Sequence, residues 1–279
     1  MHNIMSPVLL TVLTFSAWFL ASYLYHGLGI TLGYHRLLTH SSVKLPKWLT
    51  YLICSGGYLA LMGSPAVWVS VHRLHHQKSD MEGDPHTPMD GFMHALVGWM
   101  TNVHAFQTDE EIYRQAKDLV NDPVYKSLGL THSASQAQLC IASCVAFRVL
   151  LYIIGGPIAV VANLIASVTV FFSTQFVNTV CHLPSHGYKT FESNDNSRNV
   201  WWVALLTLGE GWHNNHHAIP KSARHGLKWY EIDVTWYTIS LLEKLGLAKD
   251  VVLPSNRIME QRQLKITQNL TKTLETASK

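Results

Sequence analysis

Charged side chains are scarce in this sequence: Asp, Glu, Lys and Arg make up only 14% of its 279 residues, against 48% hydrophobic residues. That balance favours a chain that folds partly in an apolar solvent. The net charge of +3 is too small to indicate nucleic acid as a partner. Four cysteines occur without a C-x-x-C pair, which favours neither a disulfide framework nor a zinc ribbon. The N-terminus lacks the basic start and cleavage site of a secretory signal.

Histidine, in contrast, is abundant. The chain has 17 histidines against 21 lysines and arginines together. Histidine is the side chain most often used to bind metals in proteins. Composition alone therefore indicates a metal-binding protein.

Three apolar runs, at about 7–34, 136–154 and 157–177, are long enough to cross a bilayer, which needs about 20 residues. The tight turn Gly155-Gly156-Pro157 joins the last two runs, so we expect a helical hairpin that crosses the membrane and returns. Arg148 lies close to this turn, and its long side chain is expected to reach the far membrane surface.

A further apolar run, 48–71, is interrupted at Gly56-Gly57 and at Gly63-Ser64-Pro65, which leaves pieces too short to span. We predict an interfacial or re-entrant segment there. In the polar stretch that follows, Thr108 to Glu111 form a capping box, which is expected to open a soluble helix ending near 121–123.

The rest of the chain is polar or interfacial. The stretches 72–135 and 182–250 are predicted to form a cytoplasmic cap, so that residues 1–250 make a single domain. Residues 251–279 are expected to form a surface helix or a loose polar tail.

Two copies of the motif H-x-x-H-H occur, one at His72, His75 and His76 and the other at His213, His216 and His217. On an α-helix the first and last histidines of a copy lie roughly 40° apart, and the middle one lies about 60° to the other side. The three side chains share one face but fan out, so that two imidazoles can bind one metal and the third can bind its neighbour. Two identical copies in one chain make chance a poor explanation.

Two further pairs stand where apolar runs end: His35 and His40 after the first, and Asn178 and His182 after the last. Residues five apart lie about 140° apart on an α-helix, so His35 and His40 can reach one metal only if the helix ends between them. Asn178 and His182 are four apart and share a face. An ordinary interfacial asparagine and histidine are the alternative interpretation of this second pair.

These four stretches can form one site only if they lie on the same side of the membrane. A crossing by 48–71 would separate His35 from His72, whereas a single hairpin over 136–177 returns the chain to its starting side. The sequence therefore predicts an all-α membrane protein: a small bundle of about three spanning helices, interfacial helices, and a cytoplasmic helical cap that holds a two-metal site.

All-imidazole ligation is compatible with zinc, copper, iron or nickel. Glu210, Asp80 and Asp84 lie close to the motifs in sequence and could orient imidazoles by accepting N–H bonds, with solvated surface carboxylates as an equal alternative. The remaining histidines are predicted not to be ligands: His2, His26, His86, His94, His104, His132, His186 and His225.

Four segments carry a resemblance to a known family: GITLGYHRLLTH, HRLHHQKSDMEGDPH, NTVCH and GEGWHNNHHAIPKSARHGL. They resemble the membrane fatty acyl delta-9 desaturases, most of all the bacterial and cyanobacterial acyl-lipid branch, and the likeness runs from about Leu28 to Asp250. It implies a di-iron centre of two Fe²⁺ ions that activates O2 and removes two hydrogens from neighbouring methylene groups. The family normally has two spans before the first histidine pair, and this chain has room for one.

The resemblance also implies the metal ligands. One iron would be bound by His35, His40, His72, His76 and His216. The other would be bound by His75, His182, His213 and His217. Asn178 would hold a metal through a water. In the acyl-CoA relatives the helix before the first pair closes the substrate tunnel, and the matching residues are Phe19 and Tyr23. Their bulk indicates a sixteen-carbon chain, and ordinary lipid-facing aromatics are the alternative interpretation.

The expected activity is the O2-dependent introduction of a cis double bond, at delta-9, into a saturated acyl chain carried by a lipid or by coenzyme A. Electrons must come from a separate donor, expected to be ferredoxin, because the chain has neither an H-P-G-G haem motif nor a ferredoxin-like cysteine set. A basic strip at Lys221, Arg224 and Lys228 is a candidate docking site. A related di-iron hydroxylase is the nearest alternative, and a histidine-rich membrane metal transporter is the alternative from another class.

Overall fold

The computed structural model describes residues 6–101 and 108–261, which are helical and contain isolated β-bridges but no strand. The α-helices that position the site are α1 (Pro7–Leu28), α2 (Lys47–Tyr58), α3 (Pro65–Lys78), α4 (Phe92–Leu96), α5 (Asp109–Gln115), α6 (Pro123–Leu128), α7 (Ala134–Thr179), α8 (Trp201–Leu206), α9 (His213–Ala218) and α10 (Val234–Lys244). An all-α architecture is therefore confirmed for these residues.

Two helical stretches are long and apolar enough to cross a membrane. The first, Pro7–Thr39, consists of α1 and a π-helical segment, Gly29–Thr39, that continues it without a break. The second, Ala134–His182, consists of α7 and a short 3₁₀ turn. Ser6 caps the start of α1 by accepting a hydrogen bond from a backbone N–H in the first turn.

The second stretch is bent into two arms at Gly156, whose φ of 65° and ψ of −165° are not helical. Arg148 Nη2 lies 2.9 Å from Ser167 Oγ, although 19 residues separate them and a straight helix would hold them about 28 Å apart. The chain therefore reverses at Gly156. The prediction that Arg148 reaches the far surface is wrong, because its guanidinium points back along the helix and also donates to the Cys144 carbonyl.

Both arms of α7 pack against α1. Phe147 in the first arm lies beside Tyr25, and Asn163 in the second arm lies 2.9 Å from the Nε2 atom of His26. His26 Nδ1 also lies 2.8 Å from the Gly56 carbonyl of α2. One buried imidazole thus joins three helical segments.

The helix α2 has 12 residues, or about 18 Å, which is too short for a hydrocarbon core of about 30 Å. The prediction that Gly56-Gly57 interrupts the helix is wrong, because α2 continues to Tyr58. Instead, these glycines let two backbones meet: a Cβ on Gly56 would lie 2.2 Å from the Tyr25 carbonyl, and one on Gly29 would lie 2.2 Å from the Gly57 nitrogen.

Thr108 caps the predicted helix, with its side chain accepting from the Glu111 N–H at 3.2 Å, whereas the Glu111 carboxylate accepts from Arg114 and Gln115. The helix that it opens ends earlier than expected, at Gln115, because Ala116 leaves the helical region with φ −105° and ψ 28°. The sequence placed Asp122 at the end of a longer α5. In the structure Asp122 instead caps the start of the next helix, α6.

The chain after His182 also reaches deeper than expected. The Tyr23 hydroxyl donates to the Leu206 carbonyl, and Leu208 packs so closely on α1 that a Cβ on Gly27 would lie 2.8 Å from it. The end of α8 is therefore built into the apolar bundle. Within the C-terminal stretch, residues 256–261 are helical, and 262–279 lie outside the described residues.

Candidate metal centre

The first H-x-x-H-H motif lies on α3, which is set up by a strong start signal. Ser64 accepts from the Val67 N–H at 3.2 Å, and Pro65 occupies the first helical position, where its missing N–H costs nothing. The motif occupies the second half of this helix. Its histidines therefore project from a rigid element into the cap.

The second motif lies on α9, a helix of six residues that is too short to be stable alone. The two asparagines between its histidines hold it in place. The Asn214 side-chain oxygen accepts backbone N–H bonds from Thr190 at 2.7 Å and Phe191 at 2.8 Å, while Asn215 donates to Glu231 at 2.9 Å. The surrounding loops thus impose helical geometry on these histidines.

His35 and His40 share a face because the segment that carries them is π-helical. The His40 backbone N–H donates to the His35 carbonyl at 3.2 Å, an i→i+5 bond that brings residues five apart into register. Their ring centroids lie 4.8 Å apart. The helix does end at Thr39, as expected, but the shared face comes from the wider helical turn.

Nine histidines converge in two groups, within each of which the candidate ligand atoms lie within 4.8 Å of one another. The first group is His35, His40, His72, His76 and His216. The second group is His75, His182, His213 and His217. The two sets have the same members as the two ligand sets that the resemblance implies. All four sequence stretches, although far apart along the chain, therefore meet at one place.

The hydrogen-bond chemistry of the first group fits a bound cation. His216 Nε2 lies 3.1 Å from His35 Nε2 and 2.9 Å from His76 Nε2, and His76 Nε2 lies 3.1 Å from His72 Nε2. His35 Nδ1 lies 2.6 Å from a Glu210 oxygen, and a proton on Nδ1 leaves Nε2 as a lone-pair acceptor. A neutral imidazole carries only one N–H. Hydrogen bonds between pairs of these rings therefore satisfy the four Nε2 atoms less well than a shared metal ion would.

The second group shows the same pattern. His182 Nε2 lies 3.0 Å from His213 Nε2, while His182 Nδ1 is bonded to Asp80 at 2.9 Å. The Nε2 atom of His217 is buried and has no hydrogen-bond partner among the described residues. Such a buried, unpaired acceptor is costly unless a cation binds it. The residues therefore fit two adjacent metal ions.

Carboxylates orient four of these imidazoles. Asp84 accepts from His75 and Asp80 from His182, as the sequence suggested, and Asp195 accepts from His217 at 2.6 Å, while a Glu210 oxygen lies 2.6 Å from His35 Nδ1. Asp195 was not predicted, because it lies in a polar loop remote from every motif. In each pair the carboxylate fixes the tautomer that leaves Nε2 free for a metal.

The protonation states suit metal binding. Burial alone would raise the pKa of Asp84, but its contacts with His75 outweigh burial and lower it, so the carboxylate is ionised. Burial lowers the pKa of His217 to about 4, although Asp195 acts in the opposite direction. Burial likewise lowers the pKa of His86 to about 3. Neutral imidazoles are the form that binds metals.

Arg36, the neighbour of His35, is completely buried and bonded to two carboxylates. Its guanidinium donates to Glu210 at 3.0 Å and to both oxygens of Asp233 at 2.9 and 3.0 Å. Asp233 also caps α10 by accepting from the Trp236 N–H. A single charge cluster therefore ties the π-helical segment to α10.

Two histidines that were predicted not to be ligands lie beside the two groups, and a third, His132, lines the cavity described below. The His86 ring centroid is 4.4 Å from that of His75, and the His225 centroid is 4.5 Å from that of His216. In the sequence, the only indication that His86 and His225 belong to the site is that they lie in DPH and ARHGL, within the segments that carry the family resemblance. His186 is exposed. His26 lies in the helix bundle, and His2 and His104 lie outside the described residues.

A cavity of about 250 Å³ leads to the histidines. Most of its wall is apolar, from residues such as Ile30, Val67, Val71, Val170 and Phe171. His35, His72 and His213 close one end, beside the half-buried Asn178, which donates to Gln175. Phe19 and Tyr23 are not part of the wall, although Tyr23 reaches the wall residue Leu206 from behind.

Comparison with known proteins places the chain among enzymes of lipid metabolism. The family model for fatty acid desaturases matches residues 10–242. The chain is 45% identical to the sn-1 stearoyl-lipid 9-desaturase of Synechocystis sp., over 85% of this chain and 71% of that protein. It is 43% identical to the sn-1 stearoyl-lipid 9-desaturase of Anabaena variabilis, over 83% and 81%, and 43% identical to the sn-2 palmitoyl-lipid 9-desaturase of Nostoc sp., over 87% and 81%. The chain therefore belongs to the fatty acid desaturase family and is an oxidoreductase.

Proposed function

We propose that this protein is an O2-dependent membrane desaturase that introduces a cis double bond at delta-9 of a saturated acyl chain carried by a membrane lipid. The nine histidines would bind two iron ions, with Asn178 acting on one of them through a water. The regiochemistry and the lipid carrier are taken from the three cyanobacterial relatives, which are lipid 9-desaturases by name.

The observation that carries the proposal is the cavity that joins an apolar wall to both histidine groups. His35 and His72 belong to the first group and His213 to the second, and all three line the cavity. An alkyl chain bound there would lie against the two metal positions at once. This is the arrangement needed to remove hydrogens from two neighbouring carbons.

The wall has few groups that could act on a substrate by acid–base chemistry. Among the described residues that line the cavity, Glu210 is the only carboxylate, and it is engaged by His35 and Arg36. No side chain can abstract hydrogen from an alkyl chain as a base, so the oxidation must come from a cofactor. Bound iron would supply it by activating O2, while the protein positions the chain and excludes water.

We propose that α1 and the two arms of α7 each cross the membrane, which gives three spans. The short α2 supports this topology because it cannot return the chain across a full bilayer. The reversal at Gly156 brings His182 back to the side where His35 leaves the bundle. Both histidine groups then lie on one face, taken as cytoplasmic because the cap carries Lys221, Arg224 and Lys228.

The cavity favours a lipid over an acyl-CoA as the carrier. Coenzyme A bears several phosphate charges, which proteins usually bind with Lys or Arg. The described part of the cavity wall contains neither residue. A glycerolipid can also enter sideways from the bilayer in which α1 and α7 are embedded.

Desaturation requires electrons from outside. Removing two hydrogens from the chain supplies two of the four electrons that convert O2 to two waters, so a donor must supply the other two. We propose a ferredoxin. The strip at Lys221, Arg224 and Lys228 is a weak docking candidate, because Arg224 is bonded to the Gly226 carbonyl and Lys228 lies over the Tyr188 ring at 4.6 Å.

Two other functions use similar ligands. A fatty acyl hydroxylase would need the same metal site, and only its product distinguishes it. A metal transporter would place its ligands near the middle of the bilayer with access from both sides. Here the histidine groups lie at the ends of α1 and α7 and are enclosed by the cap, which favours an enzyme.

The test is to express the protein in a host that supplies reduced ferredoxin and to map new double bonds in each lipid class by mass spectrometry. We expect delta-9 products in glycerolipids. A hydroxylated product, or double bonds confined to acyl-CoA, would overturn the corresponding part of the proposal.

The matched pair of variants is His75→Ala and His186→Ala. His75 belongs to the second group, whereas His186 is exposed and its ring is hydrogen-bonded to the neighbouring Ser185. We expect the first substitution to abolish product without preventing membrane insertion and the second to leave product unchanged. Normal product from His75→Ala would contradict the proposed metal site.

A further inference from the structure

The two histidine groups differ in the number of carboxylates that contact their imidazoles from outside, on the side away from the metal positions. In the second group three of the four imidazoles donate to an aspartate: His75 to Asp84 at 2.9 Å, His182 to Asp80 at 2.9 Å, and His217 to Asp195 at 2.6 Å. In the first group, over the described ranges, only His35 lies against a carboxylate, with its Nδ1 atom 2.6 Å from a Glu210 oxygen.

The three aspartates are held rigidly. Asp84 accepts from the Asp80 and His86 backbone N–H groups, Asp80 accepts from the Asn196 N–H at 2.7 Å, and Asp195 accepts from the Ser197 N–H at 3.0 Å. Their positions do not depend on the imidazoles that they orient. A carboxylate fixed in this way acts on the bound metal through a short, preorganised path.

The two groups also differ in how this charge is balanced. Glu210 forms an ion pair with Arg36, which is itself completely buried. Asp80, Asp84 and Asp195 pair only with histidines in the part of the chain that the structure describes. Three carboxylates that form no ion pair with a described Lys or Arg side chain therefore stand behind the second group, against one that is paired with Arg36 behind the first.

We propose that Asp80, Asp84 and Asp195 make the second group the tighter of the two metal positions. An imidazole whose N–H is donated to a carboxylate is a stronger electron donor, and a nearby negative charge attracts a dication further. The first group has one more imidazole, but its carboxylate charge is neutralised by Arg36. Metal therefore enters the second group first and leaves it last.

This inference rests on the proposed two-metal site and assigns the three aspartates as positioning residues. They touch no substrate and act through the histidines. Loss of one such outer carboxylate typically weakens metal binding about 10- to 100-fold. The weakening should be confined to one of the two metals.

The experiment removes iron from the purified, fully loaded protein with increasing chelator under anaerobic conditions, counting bound Fe²⁺ per chain and recording Mössbauer spectra. The wild type should lose iron in two steps. Asp195→Asn should move the tighter step about 10- to 100-fold towards lower chelator and leave the weaker step in place. Glu210→Gln should move only the weaker step.

Asp250→Asn is the matched control, since this aspartate is exposed and pairs with Lys44 at the surface. It should change neither step. Retention of the first-group iron shows that Asp195→Asn has folded, and Asp80→Asn repeats the test through His182 if that variant aggregates. A wild-type protein without stoichiometric iron would contradict the proposed function. Two irons leaving in one step, or Asp195→Asn moving both steps or neither, would overturn this inference alone.

Discussion

At the scale of single residues, side chains beside the histidines hold much of the site together. Arg36 is the clearest case, because nothing in its sequence position beside His35 indicates a buried charge. The guanidinium neutralises Glu210 and Asp233, which in turn orient His35 and cap α10. A buried charge that loses its partner costs far more than a surface charge.

Arg36→Met should therefore destabilise the fold strongly. Two carboxylates would be left buried without a counter-charge, at a cost of about 3–5 kcal/mol. Thermal unfolding of the detergent-solubilised protein measures the loss. Arg114→Met, at an exposed ion pair with Glu111, is the control and should cost less than about 1 kcal/mol. Equal unfolding temperatures for the two variants would contradict a structural role for Arg36.

Tyr23 lies just behind the cavity wall, and we expect its side chain to limit the length of the acyl chain that the cavity accepts. Its hydroxyl donates to Leu206, which lines the cavity, and its ring stacks on Phe19. Tyr23→Ala should enlarge the cavity beyond Leu206 and shift the products towards longer acyl chains, measured by fatty-acid profiling. Tyr152→Ala, at an exposed position on the first arm of α7, should leave the profile unchanged. An unchanged profile for Tyr23→Ala removes the tunnel-end hypothesis.

At the scale of elements, what the sequence could predict was local. The helix start at Thr108 and the two H-x-x-H-H motifs follow from neighbouring residues alone. The π-helical segment could not be predicted, because it depends on the packing of α2 against α1. Asp195 escaped prediction for a related reason: it meets His217 across a loop, 22 residues away in sequence.

Glycines in α2 provide a test of that packing. A methyl group on Gly56 would lie 2.2 Å from the Tyr25 carbonyl, and neither backbone can move without disturbing the π-helical segment beyond it. Gly56→Ala should lower the unfolding temperature and reduce the iron content, whereas Leu52→Ala, at an exposed position of the same helix, should do neither. An unaffected Gly56→Ala protein would show that the close approach is dispensable.

At the scale of the whole molecule, topology decides whether a site can form. Four stretches distant in sequence meet at the histidine groups, and the reversal of α7 at Gly156 brings His182 back to the other three. Sequence reasoning reached this arrangement from the need to bring the histidines together. It did not predict that the end of α8 packs into the apolar bundle, or that the Arg148 side chain points back along its helix. Both features depend on contacts between helices.

The predicted topology places the cap and the α7 turn on opposite faces. The four native cysteines are buried, so introduced cysteines give a clean signal. An impermeant thiol reagent should label Lys221→Cys only from the cytoplasmic side and Pro157→Cys only from the other side. Labelling of both positions from the same side would contradict the three-span arrangement.

Everything in this account depends on imidazoles from four stretches converging on a pair of metal ions. The most direct measurement is the iron content of protein purified from iron-replete cells, determined by elemental analysis against accurate protein concentration. We expect two irons per chain, falling below one in a His72→Ala, His213→Ala double variant that removes a ligand from each group. Substoichiometric iron in the wild type, or two irons retained by that variant, would contradict the account.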